Sequence, residues 1–164
     1  MERTWPAPVE RVSAFLRAAG AEARIEEFAA GTPTAEAAAA AVGCKLGQIV
    51  KSLVLLADER PVLALVPGDR KVDRAKVARA VGARAARIAS PEVVERVTGF
   101  APGGVAPFPL PGVEATLMEQ TLLRQPVVWA GAGSERHLVG LAPDELLRLS
   151  RARPVDVIGD RRAD

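Results

Sequence analysis

Apolar residues follow a helical period near the start of the chain and a continuous pattern further on. They recur at helical spacing over Val9–Ala19, with charged residues between them and Gly20 after them, which predicts an amphipathic first helix. Two runs that are apolar on both faces, Gln48–Leu56 and Pro61–Val66, predict a buried β-hairpin joined by the four residues between them.

Three residues that favour helix N-caps mark the starts of further helices. Thr34 precedes an alanine-rich run that ends near Gly43, Asp73 can cap a helix to Val81, and Ser90 with the following proline begins a helix that ends at Thr98. The remaining predicted elements are strands over Arg24–Ala29, Ala85–Ala89, Val113–Met118, Pro126–Ala130 and Arg136–Leu141, and a helix over Pro143–Leu149.

These elements predict the α/β (mixed α+β) class, in one compact domain. A single domain with a mixed sheet accounts for residues 9–157, and we expect residues 159–164 to form a flexible tail. The stretch Gly99–Gly112 contains four glycines and four prolines and is therefore predicted to be irregular. Long ordered loops in compact domains often have a function, so this loop is a candidate site.

Composition and charge exclude several classes of protein. The chain has 164 residues, of which 49% are hydrophobic, and a net charge of only +2, so neither disorder nor general nucleic-acid binding is indicated. One cysteine and one histidine cannot build the common structural zinc sites, so we predict no metal and no cofactor. No apolar run reaches the roughly 18 residues that span a bilayer, and residues 1–8 lack the apolar core of a signal peptide, so we predict a cytoplasmic protein without a membrane partner.

Lysine is rare in this chain, and one lysine lies in an unusual place. Only 4 of the 22 basic residues are lysines, and Lys51 lies within an apolar strand, with Ile49 and Leu53 on its own face. Burial of an ammonium group costs roughly several kcal/mol in lost solvation unless a nearby anion compensates for that loss. Lys51 therefore either reaches an edge or a core carboxylate, or points into a functional cavity.

The second candidate for a functional site is a Gly-Gly-Val-Ala-Pro segment. It consists of Gly103, Gly104, Val105, Ala106 and Pro107. Two glycines allow the backbone to approach a ligand closely, so its main-chain N–H groups could hold a carbonyl or an oxyanion. The alternative is a plain surface loop.

Several motifs together resemble the YbaK / prolyl-tRNA synthetase-associated (ProX-like) aminoacyl-tRNA editing domain family. In order along residues 34–149 they are an alanine-rich helix, the strand IVKSLV, a VPGD turn, a TG dipeptide before GGVAP, the strand VVWAGAG and the helix start LAPDEL. The resemblance implies a central mixed, largely antiparallel curved sheet surrounded by helices. It also implies hydrolysis of the ester that joins a wrong amino acid to tRNA, with substrates such as Cys-tRNA(Pro) or Ala-tRNA(Pro).

The resemblance assigns roles to particular residues. Lys51 matches the strand lysine most closely tied to activity, and Gly103–Pro107 match the loop that shapes the substrate pocket through main-chain contacts. The implied chemistry needs neither a metal nor a protein nucleophile, and the implied partners are misacylated tRNA and prolyl-tRNA synthetase. Since no synthetase domain is recognisable, the expected mode of action is editing in trans.

Further assignments around this pocket are less direct. We assign Thr32, Thr34, Gly133 and His137 to substrate binding, with Thr34 also expected to cap its helix and His137 expected at the rim or surface. The sequence has Leu138 where some branches of the family carry an acidic residue, and Glu119 where an aspartate is common, and Glu119 is given no role.

Arg74 and Arg79 are the predicted tRNA-binding residues. With Arg84 and Arg87 they follow one another through a predicted helix and strand and could form one phosphate-binding face. The alternative is a set of solvated surface charges without a ligand. Two other functions stay open: a non-catalytic module of the same fold that binds aminoacyl-tRNA or a synthetase, and a small-molecule hydrolase that uses His137.

Overall fold

The computed structural model describes residues 4–159, which form five α-helices and eight β-strands. The helices are α1 (Ala7–Ala18), α2 (Ala35–Val42), α3 (Arg74–Ala80), α4 (Pro91–Thr98) and α5 (Pro143–Ser150). The strands are β1 (Arg24–Glu27), β2 (Val50–Ala57), β3 (Arg60–Pro67), β4 (Ala86–Ile88), β5 (Ala115–Glu119), β6 (Val128–Gly131), β7 (His137–Leu141) and β8 (Arg153–Val155). Every element that the sequence predicts is present, and the mixed α/β class is confirmed.

The three predicted N-caps are confirmed. The Thr34 hydroxyl accepts a hydrogen bond from the Ala37 backbone N–H at 3.0 Å, and Asp73 and Ser90 accept equivalent bonds at the starts of α3 and α4. Each cap satisfies a backbone donor that the first turn of the helix cannot satisfy itself. Gly43 ends α2 with a φ of 79°, a left-handed conformation that favours glycine.

The strands divide between two sheets rather than forming the one central sheet that we expected. A five-stranded sheet has the order β4-β2-β3-β5-β8 and mixes antiparallel and parallel pairs, whereas β1-β7-β6 form a separate antiparallel sheet. A bridge between Ile49 and Trp129 joins the two sheets directly before β2 begins. Lys51 therefore lies next to the line where the sheets meet.

The β2–β3 hairpin is tighter than predicted. Its strands pair from Val50 with Pro67 to Ala57 with Arg60, so that only Asp58 and Glu59 form the turn. Both turn residues have positive φ, 47° and 67°, as a two-residue turn that matches the strand twist requires. The Asp58 carboxylate accepts hydrogen bonds from the backbone N–H groups of Arg84 and Ala85, which ties the turn to the segment before β4.

The five-stranded sheet is covered on both faces. On one face, Val54 and Leu63 belong to a large cluster with α1, α5 and the loop that contains Phe108. On the other face, Leu55 and Val66 pack with Val77 of α3 and with residues 157–158. Burial on both faces explains why β2 and β3 read as continuous apolar runs in the sequence.

The end of the described chain is hydrogen-bonded to the segment between β3 and α3. The Gly159 N–H donates to the Lys71 carbonyl at 3.1 Å, and Ile158 forms a bridge with Val72. The prediction of a flexible tail is therefore wrong for Gly159, while residues 160–164 lie outside the described part of the chain.

Glu119 is only 1% exposed and accepts hydrogen bonds from the backbone N–H groups of Val157 (3.0 Å) and Thr121 (2.8 Å), a structural role that the sequence did not suggest.

β8 and two 3-10 helices, Leu46–Gln48 and Gln120–Arg124, were not predicted from the sequence. β8 has three residues, too few for a hydrophobic period, and it is defined by its parallel pairing with β5. None of the helices in residues 4–159 is long and apolar enough to cross a membrane.

Candidate functional site

Lys51 is the second residue of β2, and its side chain lies half-buried at the edge of a cleft. Its Nζ donates a hydrogen bond to the main-chain carbonyl of Arg70 at 2.5 Å, so a backbone oxygen accepts from this ammonium. This bond uses one of the three N–H donors of the ammonium group and fixes its position relative to the turn after β3. The sequence left open whether Lys51 reaches an edge or a core carboxylate, or points into a cavity. In the structure Lys51 lines a cavity.

The cleft has a volume of about 340 Å³ and opens beside Lys51. Small and apolar residues form most of its wall, and Lys51 has the only ionisable side chain among the described residues that line it. The lining residues are Thr32, Pro33, Thr34, Ala35, Ala38, Ile49, Val50, Lys51, Ser52, Leu53, Gly103, Val105, Gly131 and Leu138.

The predicted glycine-rich loop contributes to this cleft in part. Gly103 and Val105 line it, whereas Ala106 and Pro107 are buried, and Ala106 borders a separate apolar pocket behind the loop. The Gly104 N–H donates to the Ala101 carbonyl at 3.0 Å within the loop, so this amide has an internal partner.

Two glycines are required where the loop meets the neighbouring strand. A Cβ added at Gly104 would lie 2.8 Å from Ser134 Cα, and one added at Gly131 would lie 2.6 Å from the Val105 carbonyl oxygen. Real Cβ atoms do not approach so closely, so any side chain at these positions would push the loop away from β6. Gly133 donates its N–H to the Gly104 carbonyl at 3.0 Å and is itself packed against Pro8, so it supports the loop from behind without lining the cleft.

Thr32 and Thr34 both line the cleft, from the turn that precedes α2. Thr32 is only 6% exposed, and its hydroxyl donates to the Glu135 carbonyl at 2.8 Å. Thr34 combines the two roles considered for it, since it caps α2 and also borders the cleft.

His137 lies inside the protein, so its predicted place at the rim or surface is wrong. Its ring is 2% exposed, packs edge-on against Trp5, and has Nδ1 2.6 Å from the Ser134 hydroxyl oxygen and Nε2 3.6 Å from a Glu27 carboxylate oxygen. The structure does not bring His137 into the lining of the cleft. This burial speaks against the hydrolase that would use His137.

Several lining residues escaped the sequence analysis. Ser52 and Leu53 follow Lys51 directly and could have been found from that proximity, whereas Ala38 and Leu138 come to the cleft through tertiary packing that no local pattern shows. The Ser52 hydroxyl is enclosed and makes no hydrogen bond with any residue in the range 4–159. Leu138, which stands where some branches of the family carry an acidic residue, is part of the apolar wall of the cleft.

Arg74 and Arg79 are exposed on α3, which packs on the face of the sheet that carries Lys51. Arg79 is five positions after Arg74, and at 3.6 residues per turn their side chains point about 140° apart around the helix axis. The two side chains therefore do not share one face of α3. Arg87, which the sequence grouped with them, is paired with Glu59 at 2.9 Å. The four arginines therefore do not form one continuous basic face.

No three His, Cys, Asp or Glu side chains within residues 4–159 are grouped in a way that could hold a metal ion. The polar groups at the cleft are the Lys51 ammonium, three hydroxyl-bearing side chains and main-chain atoms of the glycine-rich loop. Such a set can bind and polarise a carbonyl group.

The chain matches known proteins over most of its length. The family model described as aminoacyl-tRNA editing domain covers residues 29–149. A solved structure, described as that of a candidate trans-editing enzyme for prolyl tRNA synthetase, superposes with a TM-score of 0.87 at 38% identity and covers 95% of this chain and 99% of the other.

Two relatives match this chain over different shares of their own length. EbsC of Enterococcus faecalis, described as a candidate Cys-tRNA(Pro)/Cys-tRNA(Cys) deacylase, is 26% identical over 125 residues, which are 76% of each chain. The proline–tRNA ligase of Nitratidesulfovibrio vulgaris is 37% identical over 92 residues, which are 56% of this chain and 16% of the ligase. The chain thus corresponds to a small part of the ligase and to most of EbsC.

Proposed function

Because the chain belongs to the aminoacyl-tRNA editing domain family, we propose that it hydrolyses the ester bond of misacylated tRNA. The observation that carries this proposal is the Lys51 ammonium, held by the Arg70 carbonyl at the edge of a cleft of about 340 Å³. The cleft offers a positive charge and hydroxyl groups on a wall of small residues. It suits the aminoacyl end of a tRNA, which is a small, polar, activated ester.

The chemistry requires positioning and electrostatic stabilisation. A water molecule attacks the ester carbonyl, negative charge develops on the carbonyl oxygen, and the bond to the ribose oxygen breaks to give a free amino acid and tRNA. The neighbouring ribose hydroxyl assists by orienting the water and by relaying a proton from that water to the departing oxygen, so that both ribose hydroxyls are restored in the product. We assign Lys51 to stabilise the developing oxyanion, and Gly103 and Val105 to hold the substrate through main-chain atoms.

The lining supports a small, uncharged amino acid as the one removed. Ala38, Ile49 and Leu138 give the cleft an apolar wall, and its described lining has no carboxylate to pair with a cationic side chain. Cysteine and alanine esters on tRNA(Pro) are therefore the first candidates, and the described activity of EbsC agrees with the cysteine ester. We further propose that the protein acts in trans and that prolyl-tRNA synthetase is a partner.

Arg74 and Arg79 stay our proposed contacts to the tRNA backbone outside the cleft. Both are exposed, and arginines that bind phosphates give an affinity that falls with salt. A salt titration of tRNA binding should show a shallower slope in the double variant Arg74→Ala/Arg79→Ala. An unchanged slope would remove these residues from the proposal.

The central experiment is deacylation of a panel of mischarged tRNAs, beginning with alanine, cysteine, serine and threonine esters. We expect wild-type protein to hydrolyse at least one ester and Lys51→Ala to lose that activity while keeping its melting temperature within a few degrees. Full activity of Lys51→Ala would contradict the mechanism. Tight binding of aminoacyl-tRNA without turnover of any ester would instead identify a non-catalytic binding module.

A further inference from the structure

A second, polar pocket is lined by Arg70, the residue whose main-chain carbonyl accepts the hydrogen bond from Lys51. Its volume is about 230 Å³, and we call it the arginine pocket. The residues that line it are Gly47, Pro67, Asp69, Arg70, Thr121, Arg124 and Gln125.

Three side chains of this pocket are hydrogen-bond donors without an acceptor among the described residues. Those of Thr121, Arg124 and Gln125 make no hydrogen bond or ion pair with any residue between 4 and 159. Arg124 is exposed at the end of the 3-10 helix that follows β5, so ordering its guanidinium requires an acceptor from outside the described chain.

Arg70 joins the arginine pocket to the cleft. Its main-chain carbonyl accepts the hydrogen bond from Lys51, and its guanidinium donates through Nη2 to the Gly159 carbonyl. The Nε of the same guanidinium is enclosed and has no hydrogen-bond partner among the described residues. A group bound at the arginine pocket would therefore lie one residue away from the contact that positions the catalytic lysine.

The charge of the arginine pocket favours an anion. Two arginines and one aspartate give its side chains a formal charge of +1, and Asp69, the one acid, is exposed with its carboxylate against Gly47. Guanidinium groups bind phosphate with paired N–H donors, and hydroxyl and amide groups complete such sites.

We propose that the arginine pocket binds a phosphodiester group of the 3′ end of the tRNA. This inference rests on the proposed function, since the ester at Lys51 and the phosphate of the same nucleotide are separated by one ribose ring. Arg124 supplies the main charge and Thr121 and Gln125 supply neutral donors. Binding there would anchor the terminal nucleotide and present its ester to the cleft.

The test compares two substrates, a mischarged tRNA that contains the phosphate groups and an adenosine ester that has none. Arg124→Ala should lower kcat/KM for the mischarged tRNA by about 3- to 10-fold, mainly through KM, because one exposed charged contact is lost. Its activity on the same amino acid esterified to adenosine, which has no phosphate, should equal that of wild type. The matched control is Arg96→Ala, which removes an equally exposed arginine from α4.

A binding measurement separates this inference from the proposed function. For uncharged tRNA(Pro) transcript, Arg124→Ala should reduce the slope of log affinity against log salt by about 0.7, the value for one phosphate contact on a single strand. Equal slopes and equal kcat/KM in Arg124→Ala and Arg96→Ala would overturn the inference, as would an equal loss on both substrates. If wild type hydrolyses neither substrate, the proposed function fails, and the salt slope still decides whether the arginine pocket binds phosphate.

Discussion

At the scale of single residues, the geometry around position 51 favours lysine over another cationic side chain. Its Nζ is 2.5 Å from the Arg70 carbonyl oxygen, at the end of a flexible stem that starts in a buried strand. A guanidinium is planar and longer, and it cannot place one compact charge at the same point.

Lys51→Arg should therefore lose most of its deacylation activity, at least about 10-fold in kcat/KM, since a misplaced charge stabilises the oxyanion poorly. The measurement is single-turnover hydrolysis of the ester that wild type removes fastest, with a thermal melt to show that the variant folds. Near-wild-type turnover would mean that positive charge alone is sufficient at this position.

The sequence predicts such residues to different degrees. Lys51 could be identified because an ammonium within an apolar strand conflicts with its surroundings, and that conflict is visible locally. The burial of His137 could not be predicted, because it depends on the pairing of β7 with β1, where His137 lies opposite Glu27, more than a hundred residues away. The same limit applies to Glu119, whose carboxylate meets Val157 only in the folded chain.

At the scale of elements, the best-predicted features are those with a local signal. Thr34, Asp73 and Ser90 mark helix starts by their own chemistry, and all three caps are present. β8 has no such signal, because its three residues form a strand only by pairing with β5. The division into two sheets is hidden for the same reason, since strand order is a tertiary property.

The β2–β3 turn gives a pH-dependent prediction. The backbone N–H of Arg84, with a smaller contribution from that of Ala85, lowers the pKa of the Asp58 carboxyl below its ordinary value. The ionised form is therefore favoured in the folded protein, and its stabilising effect is complete above the unfolded pKa of about 3.9. The effect is lost as pH falls through the lower, folded pKa.

Asp58→Asn keeps a side chain that tolerates positive φ but cannot ionise. We expect wild type to be more stable than Asp58→Asn at pH 6, and the difference to shrink as the pH is lowered from 4 to 2. Urea denaturation at several pH values measures this difference. Parallel stability curves for the two proteins over that range would contradict the assignment.

At the scale of the whole molecule, the buried carboxylate of Glu119 holds distant parts of the chain together. It accepts backbone hydrogen bonds from Thr121 and from Val157, which precedes the residues that close against Lys71 and Arg70. The segment that supports the candidate site is thus fixed to β5 of the five-stranded sheet through one side chain.

Glu119→Ala should lower the free energy of unfolding by about 2–4 kcal/mol, because two backbone N–H groups lose their acceptor at a buried site. The matched control is Glu114→Ala, which removes an exposed glutamate paired with Arg60 and should cost about 1 kcal/mol or less. Chemical denaturation of the two variants measures both values. Equal stability of the two variants would show that Glu119 does not have this role.

The closure of the described chain end on Arg70 has a practical consequence for protein engineering. Gly159 and Lys51 are far apart in sequence, yet only two hydrogen bonds through Arg70 separate them. A truncation before Ile158, or a rigid fusion partner joined directly after Gly159, would disturb the support of Lys51 without touching the cleft. Affinity tags and labels for activity measurements therefore belong at the other terminus or on an exposed helix such as α4.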